Sequence, residues 1–354
     1  MPAGPLRTRL LHIHLTPRIP YTTSLLIQDQ LLNLHWQHRA ALKSSTPSPS
    51  SPPPPPILLS FSTHPTYTVG RRHLLTNPLS SSQISYLTAN DAAAFHPTSR
   101  GGLLTYHGPG QCTAYPIIDL RRFGLSARCY VRLLENAVIR TCDGVLERAG
   151  AKARTGRSAT DPGVWMLKDG AAQPRSDSNS CQPSTEEQAD SALPAVSDRK
   201  ICALGVQVTR GVTAHGVGLN VRDQAIEKRL RKLYYDTEDM TENRRAGYLS
   251  YGFSRIVACG LEGKSTTWLS REGVDAGDVN VPCVARELAE NIAVGIEETG
   301  EKKGLVDGVE TVELGRGDVE ALKSGSAQIG ELSTIERELR RNWQQVEVSV
   351  DRTH

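Results

Sequence analysis

Arg100-Gly-Gly-Leu-Leu-Thr-Tyr-His-Gly-Pro-Gly-Gln111, running on into Cys112-Thr-Ala-Tyr-Pro-Ile-Ile118, is the stretch from which the fold is read. Four glycines and a proline stand directly before an apolar run. Glycine leaves backbone N–H groups unobstructed by side chains, so a turn of this composition can line a ligand cavity. Arg100, Tyr106, His107 and Gln111 are the polar groups that would punctuate it. Taken alone, the same residues also describe a β-hairpin corner with exposed polar side chains.

Outward from this stretch, Pro116 to Leu120 is expected as a strand and Ser126 to Ala149 as the best helix of the chain. In that helix Val131, Leu134, Val138, Ile139, Cys142, Val145 and Leu146 recur at three-to-four spacing, with Ser126 as N-cap and Gly150 as stop. On the other side, Ile57 to Phe61 reads as a buried strand. The segment His64 to His73 ends in a turn at Gly70 whose basic pair, Arg71-Arg72, faces a ligand or a partner. Asp161-Pro-Gly-Val-Trp-Met-Leu167 is a short strand entered through a turn, and Lys200–Thr209 with Thr213–Val221 make a hairpin about Gly211. Phe253 to Gly260 is a short apolar approach to Cys259, and Val284 to Val294 reads as a helix.

Composition narrows the function class. With 354 residues the chain has room for one large or two ordinary domains. Its hydrophobic fraction of 38% lies below the roughly 45–50% of globular domains, a reference that also counts glycine. Part of the chain is therefore expected to stay unfolded. A net charge of +3 offers no field for nucleic acid, and no charge-free apolar run reaches the roughly 18 residues of a membrane span. Seven cysteines without a Cys-x-x-Cys pair argue against a disulfide framework or a zinc site and for a reducing compartment. No cofactor or metal is expected.

Four segments stand apart. Residues 1–42 hold Arg7, Arg9, Arg18 and Arg39 against a single acid, Asp29, which resembles an organelle transit peptide. The preferred reading is an amphipathic helix from Tyr21 to Leu32, with Leu25, Leu26, Leu32 and Leu34 inward, leaving little separate presequence. Residues 44–56 are a Ser/Pro spacer, and 169–198 a polar loop that cannot offset its ordering entropy. Residues 297–354 are a low-information extension to which no function is assigned.

Five motifs stand in order over roughly residues 20–296: Arg100 to Gln111 above, Pro162-Gly-Val-Trp165, Lys200-Ile-Cys-Ala-Leu-Gly205, His215-Gly-Val-Gly-Leu-Asn-Val221 and Ala258-Cys-Gly260. Together they resemble the lipoyl(octanoyl) transferases, the octanoyl-[acyl carrier protein]:protein N-octanoyltransferases. The resemblance implies a mixed α/β domain with a central sheet, of the biotin/lipoate protein ligase-like catalytic type, over residues 1–296. It implies transfer of an octanoyl group from acyl carrier protein to a lipoyl-domain lysine of the 2-oxoacid dehydrogenases or of the glycine cleavage H protein. A monomer is expected, located in the mitochondrion or otherwise the cytoplasm.

By the same resemblance the nucleophile is Cys259 and its partner Lys200. The acyl pocket falls on Arg100, Gly101, Gly102, Leu103, Leu104, Thr105, Tyr106 and His107, on Ala203, Leu204 and Gly205, and on Gly216, Val217 and Gly218. The chemistry is coherent, since a thioester donor suits a thiolate, and a thiol with a pKa of about 8.5 needs help to ionise near neutrality. A lysine beside it favours the thiolate and, once neutral, serves as base for the incoming amine. His107 and His215 are read as pocket-wall or orienting residues, and Cys112 and Cys202 as packing. Without the resemblance, Cys259 reads as a core thiol and Lys200 as a solvated strand end. An ATP-dependent lipoate or biotin ligase, which would need no catalytic cysteine, and a non-catalytic binder of acyl carrier protein or lipoyl domains remain open. Arg71, Arg72, Arg121 and Arg122 are candidate docking charges for the acidic carrier.

Overall fold

The computed structural model describes residues 7–43, 53–88, 93–158, 160–168, 195–223, 252–256 and 263–329, with Leu332 and Ile335. The chain opens with β1 (Thr8–Leu15), α1 (Tyr21–Ala41), β2 (Ile57–Phe61), β3 (Thr66–Gly70), α2 (Arg71–Thr76), α3 (Ser81–Thr88), β4 (Ala94–Thr98), β5 (Thr105–His107) and β6 (Gln111–Ile117). It continues with α4 (Leu120–Phe123), α5 (Ala127–Arg148), β7 (Thr155–Arg157), β8 (Val164–Leu167), β9 (Val196–Thr209) and β10 (Val212–Asn220). After β11 (Ser265–Thr266) come α6 (Val281–Thr299), β12 (Val306–Leu314) and α7 (Arg316–Ser324).

The main sheet runs β12-β1-β2-β6-β10-β9-β8-β7, with β11 alongside β9, and a small sheet runs β4-β3-β5. Parallel pairing joins β12, β1 and β2, while β2, β6, β10, β9, β8 and β7 pair antiparallel. The mixed α/β architecture is thus present. Strand side chains alternate between faces, and both faces are covered. Leu10, Leu58, Cys112 and Ala114 point to the core shared with α5 and α6, whereas Leu11, Ile13, Leu59, Tyr115 and Ile117 point to the core shared with α1 and α7.

That double burial hides β1 in the sequence. Thr8–Leu15 lies in the stretch whose basic composition resembles a presequence, yet it pairs with both β2 and β12. Helix α1 forms as preferred, but its buried positions include Ile27, Leu31 and Leu32 together with polar Ser24, Gln28 and His35, while Leu25, Leu26 and Leu34 are only half-buried. Ser24 Oγ donates to Tyr21 O at 2.7 Å and Gln28 Oε1 accepts the His215 backbone N–H at 2.6 Å, whereas the buried His35 Nε2 has no hydrogen-bond partner among the described residues.

Helix α5 begins as its cap predicts, with Ser126 Oγ accepting the Cys129 N–H at 3.1 Å. The strand expected at Pro116–Leu120 instead occupies Gln111–Ile117 and so starts inside the central motif. The β9–β10 hairpin turns through Arg210 at φ 54° and Gly211 at φ 81°, the double left-handed geometry of a two-residue connection. Strand β9 already begins at Val196, claiming three residues of the segment read as loop. Cys112, Cys142 and Cys202 are buried free thiols and Cys283 is an exposed one. Cys129 is disulfide-bonded, a pairing that spacing along the chain could not reveal because proximity is set by the fold.

Part of the 297–354 extension also joins this architecture. Strand β12 pairs along β1, and Val312, Leu314, Val319, Leu322, Ile329 and Ile335 enter the core under α1. Leu314 is fully buried, so Leu314→Ala is expected to cost about 2–5 kcal/mol in urea unfolding. A loss below about 0.5 kcal/mol, the range of surface substitutions, would show that this segment is an appendage.

Candidate active site

A cavity of about 260 Å³ opens where the glycine-rich loop and β5 meet β9 and β10. From β9 come Lys200, Ala203, Leu204 and Gly205, and from β10 His215 to Gly218. The loop and β5 contribute Arg100, Gly102, Leu103, Thr105 and His107, while Tyr21, Tyr115, Asp161 and Pro162 close the remaining sides. Most of the expected pocket residues therefore converge from distant parts of the chain.

Gly101, Leu104 and Tyr106 do not line it, and for Leu104 and Tyr106 the reason is the two-residue period of extended chain. In β5, Thr105 and His107 face the cavity, which turns Tyr106 the other way. There its ring meets Tyr67 at 5.2 Å and Phe253 at 5.5 Å in a separate aromatic cluster, against which Leu104 packs. Cys259 lies outside the described residues.

Arg100 is buried, and its guanidinium serves the scaffold. Its Nη2 donates to Thr68 O at 3.0 Å and Thr68 Oγ1 at 2.7 Å, and Nη1 to Gly101 O at 2.9 Å, tying the loop to the middle strand of the small sheet. Its stem passes under β9 so closely that a Cβ on Gly205 would meet Arg100 Cδ at 2.9 Å.

His107 has a defined tautomer. Gln111 Nε2 donates to Tyr106 O at 3.2 Å and to Asn220 Oδ1 at 2.9 Å, so Gln111 Oε1 accepts from His107 Nδ1–H at 2.7 Å. His107 Nε2 is left with a lone pair. Burial, aided by the charge of Arg100, pushes the imidazole down to about 4, and the ring stacks on Tyr21. His215 likewise falls to about 4, through burial first and Arg100 second. It holds a left-handed φ of 57° within β10, its Nε2 meets Ser99 Oγ at 3.3 Å, and its buried Nδ1 has no partner.

Lys200 enters the cavity from β9 opposite Trp165 of β8. It is 4% exposed, so the solvated strand end suggested by its neighbours in sequence is not what forms. Its Nζ lies 4.8 Å from the Trp165 ring centroid, a distance at which the ring attracts an ammonium. Gly163 presses on its stem: at φ 124° it stands where a Cβ would meet Lys200 Cε at 2.6 Å. Asp161, held below the usual carboxylate range by its hydrogen bond from Lys264, shares the cavity wall. Glu135, whose carboxyl burial pushes upward, accepts the Gly163 N–H at 3.2 Å.

The family model of the lipoyl protein ligase A/B catalytic domain matches residues 29–248, more than half of the chain. The chain belongs to this family. Its relatives include the human mitochondrial octanoyl-[acyl-carrier-protein]:protein N-octanoyltransferase, 31% identical over 72% of this chain and 80% of that one. The probable octanoyltransferase of Schizosaccharomyces pombe is 32% identical over 73% of this chain and 84% of its own. Among solved structures, a putative lipoate protein ligase from Thermoplasma acidophilum with bound lipoic acid aligns at a TM-score of 0.45 and 13% identity, over 90% of this chain and 94% of that one.

In this member of the lipoyl protein ligase A/B family, Tyr21, Tyr115 and Asp161 are cavity residues that sequence reasoning passed over. Tyr115 was accessible from alternation along β6; Tyr21 carried no local signal, because only tertiary packing brings α1 to the site. The histidines supply a test. His12, lowered to about 3, and His35, His107 and His215, lowered to about 4, are depressed from 6.5 chiefly by burial. The unfolded chain binds these protons first, so their contribution to stability is complete above pH 6.5 and is lost as pH falls towards 4. Melting temperatures measured from pH 7 to 4 are expected to fall steadily, and a flat profile would contradict the buried neutral state.

Proposed function

We propose that the protein transfers an octanoyl group from octanoyl-acyl carrier protein, through a thioester on Cys259, to the target lysine of a lipoyl domain, the first step of protein lipoylation. The observation that carries this reading is a buried lysine, Lys200, at the wall of a cavity whose other lining includes Leu103, Ala203, Leu204 and Val217. Such a wall suits an alkyl chain, because apolar surface is removed from water on binding. Family membership and the names of the relatives point the same way.

In the first half-reaction the Cys259 sulfur attacks the thioester carbon, giving up its proton to Lys200. The carbon–sulfur bond to the carrier breaks and Lys200 returns the proton to the departing sulfur, so the carrier leaves as its thiol and Lys200 is neutral again. In the second, the acceptor amine attacks the acyl-enzyme and its proton passes to Lys200, which hands it to the Cys259 sulfur as the carbon–sulfur bond breaks and the amide is released. Neutral His107 and His215 act as fixed dipoles in the pocket wall, and backbone N–H groups of the glycine-rich turn or near Cys259-Gly260 hold the oxyanion.

The acceptors are lipoyl domains of 2-oxoacid dehydrogenases and the glycine cleavage H protein, and the compartment is the mitochondrion, as named for relatives in human and zebrafish. Exposed Arg71 and Arg121 are the docking charges for the acidic carrier, and the side chain of Arg72, the other half of the basic pair, lies outside the described ones. Arg122 is committed elsewhere, being half-buried with Nη1 donating to Pro54 O at 2.9 Å.

Intact mass after brief incubation with octanoyl-acyl carrier protein is expected to rise by one octanoyl group, not at all in Cys259→Ala, and about 10²–10⁴-fold more slowly in Lys200→Ala. No gain in the parent protein, with octanoate and ATP supporting modification of a lipoyl domain instead, would assign a ligase. Charge reversal at Arg71 and Arg121 is expected to raise KM for the carrier-bound donor while sparing a small octanoyl thioester. Equal effects on both donors would remove the docking role.

A further inference from the structure

The lysine of the site is notable for what holds it. Two carboxylates stand near Lys200, and both are engaged elsewhere. Glu135 of α5 accepts the Gly163 backbone N–H at 3.2 Å and is flanked by Arg132 and Arg157. Asp161, on the cavity wall two residues before Gly163, takes the ammonium of Lys264, which arrives from the segment leading into β11. Among the described residues Lys200 Nζ has no carboxylate within ion-pair range, and its neighbour is the face of Trp165. The same indole ring lies 5.0 Å from Lys264 Nζ, and its Nε1–H donates to Asp161 O at 3.1 Å. Trp165, Asp161 and Lys264 thus form one assembly around the lysine. Like charges share the ring, and the carboxylate goes to the cation outside the cavity.

We infer that Lys264 is a positioning residue that sequesters Asp161, so that Lys200 keeps its nitrogen free for proton transfer instead of losing it to an ion pair within the cavity. A carboxylate beside a lysine favours the ammonium, which has no lone pair and cannot accept a proton from a thiol or an incoming amine. An aromatic face attracts the ammonium without engaging any of its N–H groups directionally. The arrangement therefore retains Lys200 in place while leaving it reactive. This inference rests on the reading of Lys200 as the proton carrier.

The test is a second-site rescue in the full-length protein, read as the rate of acyl-enzyme formation with octanoyl-acyl carrier protein. Lys264→Met releases Asp161 towards Lys200 and is expected to slow the reaction about tenfold, the scale of a coupling between neighbouring residues. Lys264→Met combined with Asp161→Asn removes both partners and is expected to return the rate to within about threefold of the parent, which a simple loss of stabilising contacts would not do. Lys264→Met at the parent rate, or a double variant as slow as the single one, would overturn the assignment. Lys200→Ala at full rate would instead overturn the underlying role of Lys200, and the two failures are told apart by which variant is active.

Discussion

A guanidinium cannot shed its proton, and Arg100 is buried. A buried charge is tolerated only if its donors are satisfied. Here the partners are the carbonyl and hydroxyl of Thr68 and the carbonyl of Gly101, so the glycine-rich loop can occupy one position relative to β3. The loop's fixed position places Thr105 and His107 towards β9 and β10, and the rest of the cavity is assembled against that surface. The same charge helps keep His107 and His215 neutral, so the constraint that shapes the wall also sets its electrostatics.

What results is a cavity with few mobile charges. Its histidines are uncharged and, in the case of His107, locked as one tautomer by Gln111. Its lysine rests on an indole. Preorganised dipoles in a buried wall interact more strongly than they would in water and need no rearrangement as charge develops. The left-handed backbone of His215, held by Gln28 from α1, is one local cost of that arrangement. Strain of this kind persists where surrounding structure over-determines it.

The architecture also explains how the chain accommodates long connections between its elements. Residues 44–52 fall between α1 and β2, and 169–194 between β8 and β9. Loop-closure entropy grows only logarithmically with length, so insertions between elements held in place by other contacts cost little. On the opposite side, β12 covers the outer edge of β1 in parallel register, which closes an edge that would otherwise present unpaired backbone groups.

Local chemistry determined much of this protein. The cap at Ser126, the helical spacing through Leu146, the alternation about Gly211 and the motif order from Arg100 to Val221 each depend on neighbours in the chain, and each could be read without coordinates. Tertiary structure decided the rest. Strand β1 was hidden because burial on both faces erases alternation, and β12 because its half-buried, charged pattern resembles a surface segment. Tyr106 was separated from the cavity by the side on which β5 packs. Lys200 turned from a strand end beside a polar loop into a buried amine because Trp165 comes from another strand, Gly163 from the turn before that strand, and Lys264 from the segment leading into a third. Which groups share a cavity is a property of how elements pack, and residues more than thirty positions apart carry no local signal of their meeting.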